Sequence, residues 1–382
     1  LSFFGILGLF FYSIFALAGP LMDGVDMLIT STGTLVDSIL PESLISRLIV
    51  DGIIGGIGAI LVFVPQIAIL FLGIGALESS GYLARAAMII DKPLSKLGLS
   101  GRSFVPLLSG CACAIPAILA TRNIPKQKEK LLCIFLIPLM QCSARLPVYG
   151  LLLSFLFHHN SLLSGLGLMI IYITSIVLTA IISVIGAKFL NLSVDNTYFT
   201  IELPNWQLPS FRLLLTNTYR QTLSFITGAG PTIITISIIL WLLSTFPSTD
   251  NSYAYQLGHW LEPIFYPMGL DWRVGVAILL SFAAREVFVS ALVVIFAIES
   301  EPSSLLSVIQ TATFNGTSEP IFTTGSVVGL IVFFMIAMQC MSTLAVAKKE
   351  LRSWKITTLM FVGYVVLAYV LAVFCHFVFS GR

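Results

Sequence analysis

Long apolar runs separated by short polar segments dominate the chain. A helix that crosses a bilayer needs about 20 apolar residues. The segments that meet this length, and that are predicted to span a membrane, are 1–22, 52–77, 131–157, 162–187, 222–245, 324–346 and 356–379. Two further apolar segments, 99–121 and 274–298, differ from these in the charge of their flanks. The pattern predicts an all-α integral membrane protein.

The distribution of Lys and Arg predicts how those two segments enter the membrane. Short cytoplasmic loops are enriched in Lys and Arg. The loops 79–102 and 120–130 are rich in both, so the two ends of 99–121 are predicted to be cytoplasmic. The polar stretches around 274–298 contain neither, apart from Arg273 at the border, so its two ends are predicted to be external. Each segment is therefore predicted to be a re-entrant hairpin, and the two hairpins enter from opposite faces.

An internal repeat supports this arrangement. Met140-Gln141-Cys142 recurs as Met338-Gln339-Cys340, and Gly58 recurs as Gly230 at a shorter offset. The two offsets differ because the second repeat contains the additional polar loop 299–323. Each unit reads as a glycine-rich span, a hairpin and a span interrupted at Met-Gln-Cys. One span separates the units, so the second is inverted, and inverted repeats with broken helices are typical of transporters.

The repeat divides the chain into predicted segments. In chain order these are a first transmembrane helix with an outer loop (1–48), the first gate repeat (49–160), a connecting helix with a cytoplasmic loop (161–218), the second gate repeat (219–353) and a C-terminal transmembrane helix (354–382).

Composition agrees with a membrane location. Charged residues make up 10% of the chain, against about 25% in soluble domains. Mean hydropathy is +0.99 and the net charge of +2 gives no reason to expect a nucleic-acid partner. The sequence contains no P-loop motif, so nucleotide hydrolysis by these residues is not expected.

Sulfur-bearing residues gather at the predicted interruptions. Thiolates and thioethers are soft ligands that suit transition metals. The predicted soft ligands are Cys111, Cys113, Cys142, Cys340, Met140 and Met338. The alternative is that these side chains only pack, because a buried free cysteine behaves as a small hydrophobic residue and methionine fills gaps. That alternative is preferred for Cys133 and Cys375, which stand alone in apolar helices.

Charged residues inside apolar segments are the second group of candidates. A charge at the bilayer centre costs at least about 2.5–3.5 kcal/mol, so it must be paired or face a cavity. Arg145 would repel a divalent cation and is predicted to be structural, with Glu78, Glu286 or hairpin carbonyls as partners. Glu78 and Glu286 are also candidate oxygen donors to a passing ion, the alternatives being solvation of Glu78 and neutralisation of Arg285 by Glu286. The residues predicted to shape the path are Gly58, Pro116, Arg145, Pro147 and Arg285.

At these motifs the chain resembles the membrane region of ferrous-iron transport protein B. The resemblance covers nearly the whole chain, and it rests on residues 58–66, 77–85, 113–118, 121–122, 142–149, 285–287 and Cys340. It implies Fe²⁺ uptake across a bacterial inner membrane and two gate regions similar to those of nucleoside transporters. It also implies an N-terminal cytoplasmic GTPase domain that is absent here, small accessory iron-transport proteins and membrane lipid as partners. Cys111 and Ala112 depart from the family's usual pattern, so the thiol that contacts metal at this hairpin is left open.

The predicted function is uptake of Fe²⁺ through a thiol-lined path between the two gate repeats. Fe²⁺ is the transported substrate, no cofactor is bound permanently, and GTP acts only through the missing domain. The chain is not predicted to be an enzyme. The alternatives are a nucleoside or other small-solute transporter of similar architecture and a membrane thiol oxidoreductase. Metal selectivity, the choice between channel and alternating access, and the oligomeric state, including a homo-oligomer, are left open.

The predicted topology can be tested by labelling. Lys126→Cys and Gln310→Cys, each in a cysteine-free background, are expected to react with a membrane-impermeant maleimide from the inside and the outside respectively. The loop around 126 is rich in Lys and Arg and the loop around 310 contains neither, which is the basis of the predicted orientation. Labelling of both positions from the same side would contradict the inverted repeat.

Overall fold

The computed structural model describes residues 2–39, 46, 48–62, 64–157, 160–192, 210–246, 253–282, 285, 287–297 and 320–380. These residues are helical nearly throughout. They divide into two compact units, one formed by Leu1–Lys92 with Thr197–Phe246 and the other by Pro93–Asn196 with Pro247–Arg382. The segments predicted from the internal repeat are defined differently from these compact units, so their boundaries remain predictions.

The helices of the described residues are defined here in chain order. The α-helices are α1 Ser2–Ile39, α2 Gly55–Leu61, α3 Val64–Ser79, α4 Tyr82–Lys96, α5 Phe104–Gly110, α6 Ala114–Ala120, α7 Gln127–Leu136, α8 Leu146–Leu156, α9 Ser161–Phe189, α10 Phe211–Thr245, α11 Tyr253–Phe265, α12 Trp272–Ser281, α13 Val287–Ala297, α14 Thr324–Ile336, α15 Met341–Leu351 and α16 Trp354–Phe379. A π-helix covers Leu48–Ile54, and 3₁₀ turns cover Gly101–Ser103, Thr121–Asn123, Ile137–Leu139, Ser143–Arg145 and Tyr266–Met268.

In the first unit, α3 packs against α1 and α10. The segment 52–77, predicted as one span, is divided, because α2 ends at Leu61 and α3 begins at Val64. Pro65 explains the division, since it lacks the N–H that would bond to the carbonyl of Leu61 and its ring would clash with that carbonyl in a continuous helix, whereas in the first turn of α3 it is tolerated. Gly58 allows α2 to approach α1 closely: a Cβ added there would lie 2.8 Å from Cγ2 of Ile29.

In the second unit, α5 and α6 pack against each other on either side of a short break. The N–H groups of Cys111 and Cys113 turn back to the carbonyls of Leu108 and Ser109, which ends α5. Cys113 is extended, with φ −152° and ψ 133°, and α6 begins after it. Pro116 falls in the first turn of α6, where a missing N–H is tolerated. This is the helix–break–helix expected for the first hairpin.

The second hairpin has the same form. α12 and α13 pack against each other across a break in which the structure describes Phe282 and Arg285. The candidate oxygen donor Glu286 lies outside the described residues. Before α12 the chain bends by 97°, between Gly258–Met268 and Trp272–Ser281.

Two long apolar helices are interrupted near their middles. The helix Gln127–Leu156 is broken at Met140–Cys142, between Pro138 and Pro147, and the helix Thr324–Leu351 is broken at Ala337–Cys340. Together with Leu162–Phe189 and Trp354–Phe379, these are long and apolar enough to cross a membrane. The chain is therefore a multi-pass membrane protein, as the apolar runs predict.

Two buried carboxylates tie the first hairpin to the broken helices. Oε1 of Glu129 accepts hydrogen bonds from the backbone N–H and the hydroxyl of Ser100, at 2.7 and 2.6 Å, and from the hydroxyl of Ser103, at 2.8 Å. Glu350 accepts from the Arg122 guanidinium, at 2.5 and 2.7 Å, and from Lys130 Nζ at 3.1 Å. The start of the first hairpin is thus fixed to α7, and its end is fixed to α15.

Replacing Glu129 by Gln is expected to destabilise the protein. Hydrogen bonds to a charged acceptor contribute about 1.5–3 kcal/mol, and Gln removes that charge from three donors. The thermal unfolding midpoint in detergent should fall by several degrees. Glu262→Gln is the control, because Glu262 is partly exposed and its hydrogen bond is to His259. Equal midpoints for the two variants would contradict the anchoring role of Glu129.

Candidate functional site

The two broken helices meet at their breaks. Arg145, beside the first break, donates from Nη1 to the carbonyl of Met335 at 3.0 Å and from Nη2 to that of Ala337 at 3.4 Å. Gln141 donates from Nε2 to the same Met335 carbonyl at 3.2 Å. A broken helix leaves backbone carbonyls without intrahelical partners, and in an apolar interior these must be satisfied by other groups. Side chains at the first break therefore pair the backbone carbonyls that the second break leaves without intrahelical partners.

Arg145 is completely buried. It also donates to the carbonyl of Pro138 at 3.0 Å and to Oε1 of Gln141 at 2.7 Å. The partners expected from the sequence were Glu78, Glu286 or hairpin carbonyls. The acceptors among the described residues are the backbone of the two broken helices and the Gln141 amide; Glu78 lies at the end of α3 in the first unit, and Glu286 lies outside the described residues. Arg145 thus holds two chain breaks together.

The repeated glutamines have different environments. Oε1 of Gln141 accepts from Arg145 and from the Tyr149 hydroxyl at 2.6 Å, and Nε2 donates to Ser175 Oγ at 2.9 Å. Gln339, its counterpart in the second break, is equally buried, yet among the described residues neither of its amide atoms has a hydrogen-bond partner. An unpaired buried amide group costs about 1–3 kcal/mol. The second break therefore carries an unpaired amide where the corresponding amide of the first break is hydrogen-bonded at both of its atoms.

Each hairpin tip is fixed to the break of its own repeat. The hydroxyl of Ser143 donates to the carbonyl of Ala112 at 3.2 Å, and Cys111 Sγ lies 3.9 Å from Met140 Sδ. In the second repeat, the N–H of Met341 donates to the carbonyl of Phe282 at 3.2 Å. The two hairpin tips and the two helix breaks therefore converge on one region, called the junction below. Its described residues are Cys111–Cys113, Met140–Ser143, Phe282, Arg285 and Ala337–Met341.

Several predicted sulfur ligands lie at the junction. Nη1 of Arg285 is 3.0 Å from Cys142 Sγ, and Cys340 ends the second break, directly before α15. Cys111 is within electrostatic range of Cys142. Among the described residues, no three His, Cys, Asp or Glu side chains are arranged to hold a metal ion. The ligand set therefore remains a prediction.

The remaining candidates lie at the edges of this region or away from it. Cys113 is half-buried at the start of α6, and Met338 is buried in the second break. Cys133 is fully buried in α7 and Cys375 is half-buried in α16.

Two residues beside the junction were missed by the sequence reasoning. Tyr172, on α9, is half-buried and lies near Cys142, Cys111 and Arg145. Ser175, one turn further, donates to the carbonyl of Leu139 at 2.7 Å and accepts from Gln141. Both stand in an otherwise apolar span, and intramembrane polar side chains mark functional or interhelical contacts. That signal was available in the sequence.

Comparison with protein families gives two matches. The family described as "Gate: Nucleoside recognition" matches residues 60–156 and 226–354. The family described as "Ferrous iron transport protein B C terminus" matches residues 168–220, between the two gate segments. No solved structure matches the chain.

Several curated relatives share the name "Fe(2+) transporter FeoB". The protein of Leptospira biflexa serovar Patoc is 40% identical over 384 residues, and that of Leptospira interrogans serovar Lai is 38% identical over 393 residues. Each alignment covers 96% of this chain and 56% of the relative. The protein of Staphylococcus aureus strain MSSA476 is 36% identical over 386 residues, covering 97% of this chain and 55% of the relative. The chain thus spans about half the length of the relatives it matches.

The contrast between the two glutamines gives a stability prediction. Gln141→Leu removes one hydrogen bond each from Arg145 and Ser175 and leaves the Tyr149 hydroxyl without its described partner, and it should lower the thermal midpoint in detergent markedly, because an unpaired buried group costs about 1–3 kcal/mol. Gln339→Leu removes an amide that has no partner and should leave the midpoint unchanged or raise it. A midpoint for Gln339→Leu as low as that of Gln141→Leu would show that Gln339 is hydrogen-bonded in the resting protein.

Proposed function

This chain belongs to the ferrous iron transport protein B family, whose membrane region it matches, and we propose that it carries Fe²⁺ inward across the bacterial inner membrane. The observation that carries the proposal is the junction, where four chain interruptions bring thiols into a buried, polar region of a membrane protein. Irregular backbone at membrane depth is tolerated where it is buried in protein or lines an aqueous cavity. A path for a polar ion is the function that this arrangement supports best.

The chemistry of the junction favours a transition metal over an alkali cation. Cys142 and Cys340 come from different repeats, and Cys111 with Met140 adds sulfur from the first hairpin and the first break. Thiolates and thioethers select soft or borderline ions, whereas Na⁺ and K⁺ prefer oxygen. Cys113 and Met338 are further proposed ligands, and Glu78 and Glu286 are proposed oxygen donors along the path.

The membrane potential is a sufficient driving force in this proposal. A divalent cation gains about 4.6 kcal/mol on entering across 100 mV, at about 2.3 kcal/mol per charge. GTP would then control opening through a GTPase domain outside this chain, instead of supplying all of the work. Small accessory iron-transport proteins would act on that same cytoplasmic side.

Nucleoside transport is the second candidate, because the matching gate family is described as nucleoside recognition. A nucleoside site needs several buried polar side chains to pair with base and ribose. Among the described residues of the junction, Gln339 is the side chain whose amide has no partner, and the neighbouring candidates are thiols. Uptake of labelled Fe²⁺ and labelled uridine into the same proteoliposomes would separate the two, and a thiol redox titration would test an oxidoreductase.

Replacing the two junction thiols is expected to stop Fe²⁺ uptake. Cys142→Ser and Cys340→Ser each substitute a harder, weaker donor for sulfur while keeping nearly the same volume. Uptake into proteoliposomes should fall at least tenfold in each variant, with little change in thermal midpoint.

Cys133→Ser and Cys375→Ser are the matched controls, because both thiols lie away from the junction. Normal uptake is expected from them wherever the protein remains stable. Near-normal Fe²⁺ uptake by the Cys142→Ser/Cys340→Ser double variant, at normal expression, would reject the thiol-lined path.

A further inference from the structure

Arg285 lies where a transported cation would have to bind. Its Nη1 is 3.0 Å from Cys142 Sγ in the first repeat, and its Nη2 donates to the Ala337 carbonyl of the second break at 3.4 Å. One positive group therefore contacts a thiol that is proposed as a principal ligand, and it reaches that thiol from the tip of the second hairpin.

We propose that Arg285 is a tethered cation that occupies the Cys142 thiol of the junction and must be displaced by the transported ion, so that it determines which ions pass. The inference rests on the proposed function. It assigns to Arg285 a direct role in ion selection, beyond neutralising Glu286 or capping a helix end.

The two buried arginines differ in how firmly they are held. Arg145 donates to oxygens on Pro138, Gln141, Met335 and Ala337. The described hydrogen bonds of Arg285 are the long one to the Ala337 carbonyl and the one to sulfur, which is a weak acceptor. The Nε of each of the two guanidinium groups is buried without a hydrogen-bond partner among the described residues, so the difference lies in the contacts of their Nη groups. Arg145 is thus built into the structure, whereas Arg285 is held weakly enough to be moved.

Displacement of a guanidinium from thiols discriminates among cations by two effects. Its positive charge repels every approaching cation, so an ion must gain more from the ligands than it loses to this repulsion. Na⁺, K⁺ and Mg²⁺ gain little from sulfur, whereas Fe²⁺ and the later divalent ions gain more, and Mn²⁺ gains least among the first-row metals considered. Arg285 therefore sets a threshold that weakly thiophilic ions do not pass.

The first test measures access to Cys142 without any metal. In a variant that keeps Cys142 as its sole cysteine, Arg285→Gln should raise the rate of modification by a small methanethiosulfonate reagent at least tenfold. Arg285→Lys keeps the charge but loses the planar fork, and should give an intermediate rate. Arg273→Gln is the matched control, because Arg273 is also a buried arginine of the second hairpin but is paired with Asp271 at 3.5 Å.

The second test measures ion selection in proteoliposomes with all native cysteines. The ratio of Mn²⁺ uptake to Fe²⁺ uptake should rise at least fivefold in Arg285→Gln and remain at the wild-type value in Arg273→Gln. Arg285→Lys should lie nearer to wild type than Arg285→Gln does. If Arg285→Gln does not yield folded protein, both measurements are made on Arg285→Lys.

The outcomes separate this inference from the proposed function. Unchanged Cys142 reactivity in both Arg285 variants, or an unchanged Mn²⁺ to Fe²⁺ ratio, would overturn the inference even if the wild type imports Fe²⁺. If the wild type imports no Fe²⁺ but Arg285→Gln still increases the reactivity of Cys142, the proposed function is overturned. The guanidinium would then remain the group that covers the thiol.

Discussion

The need to satisfy backbone groups that broken helices leave unpaired in an apolar interior is the constraint on which the structure depends. Each such group costs several kcal/mol when it has no partner. Arg145 and Gln141 of the first broken helix donate to Met335 and Ala337 of the second. The second hairpin adds Arg285 to the same Ala337 carbonyl. The second break therefore depends on side chains from the first break and from the second hairpin to pair its backbone carbonyls.

The two repeats have the same architecture, but the polar side chains at their breaks differ. The first break supplies a cation, Arg145, and places the Gln141 amide between that cation and Tyr149. At the position in the second repeat that corresponds to Arg145 stands Thr343, which is buried but carries no charge. The Gln339 amide consequently lacks the partner that Gln141 has. The amide of the first break is thus hydrogen-bonded, whereas the Gln339 amide of the second break has no described partner and is available to a moving ion or in a second conformation.

The two buried arginines at the junction oppose the entry of a further cation. Arg145 and Arg285 are both buried, and the acceptors described for them are neutral carbonyls, an amide and a thiol. Such a region disfavours any additional cation unless its ligands repay the repulsion. Thiols do so for transition metals and not for alkali ions. A path that carries arginine is therefore compatible with Fe²⁺ transport when sulfur, and not only negative charge, supplies the attraction.

The sequence determined the elements whose causes are local. Bilayer thickness fixes the length of an apolar span, so four spans, including 131–157 and 324–346, were predictable, and Pro138 with Pro147 predicts the first break. The second break, Ala337–Cys340, contains neither proline nor glycine, and the sequence indicated it through the repeated Met-Gln-Cys alone. Tertiary structure decided the partners of Arg145 and the contact of Arg285 with Cys142, which lies 143 residues away along the chain. A polar side chain in an apolar segment shows that it needs a partner, but only the packing of distant helices decides which one it meets.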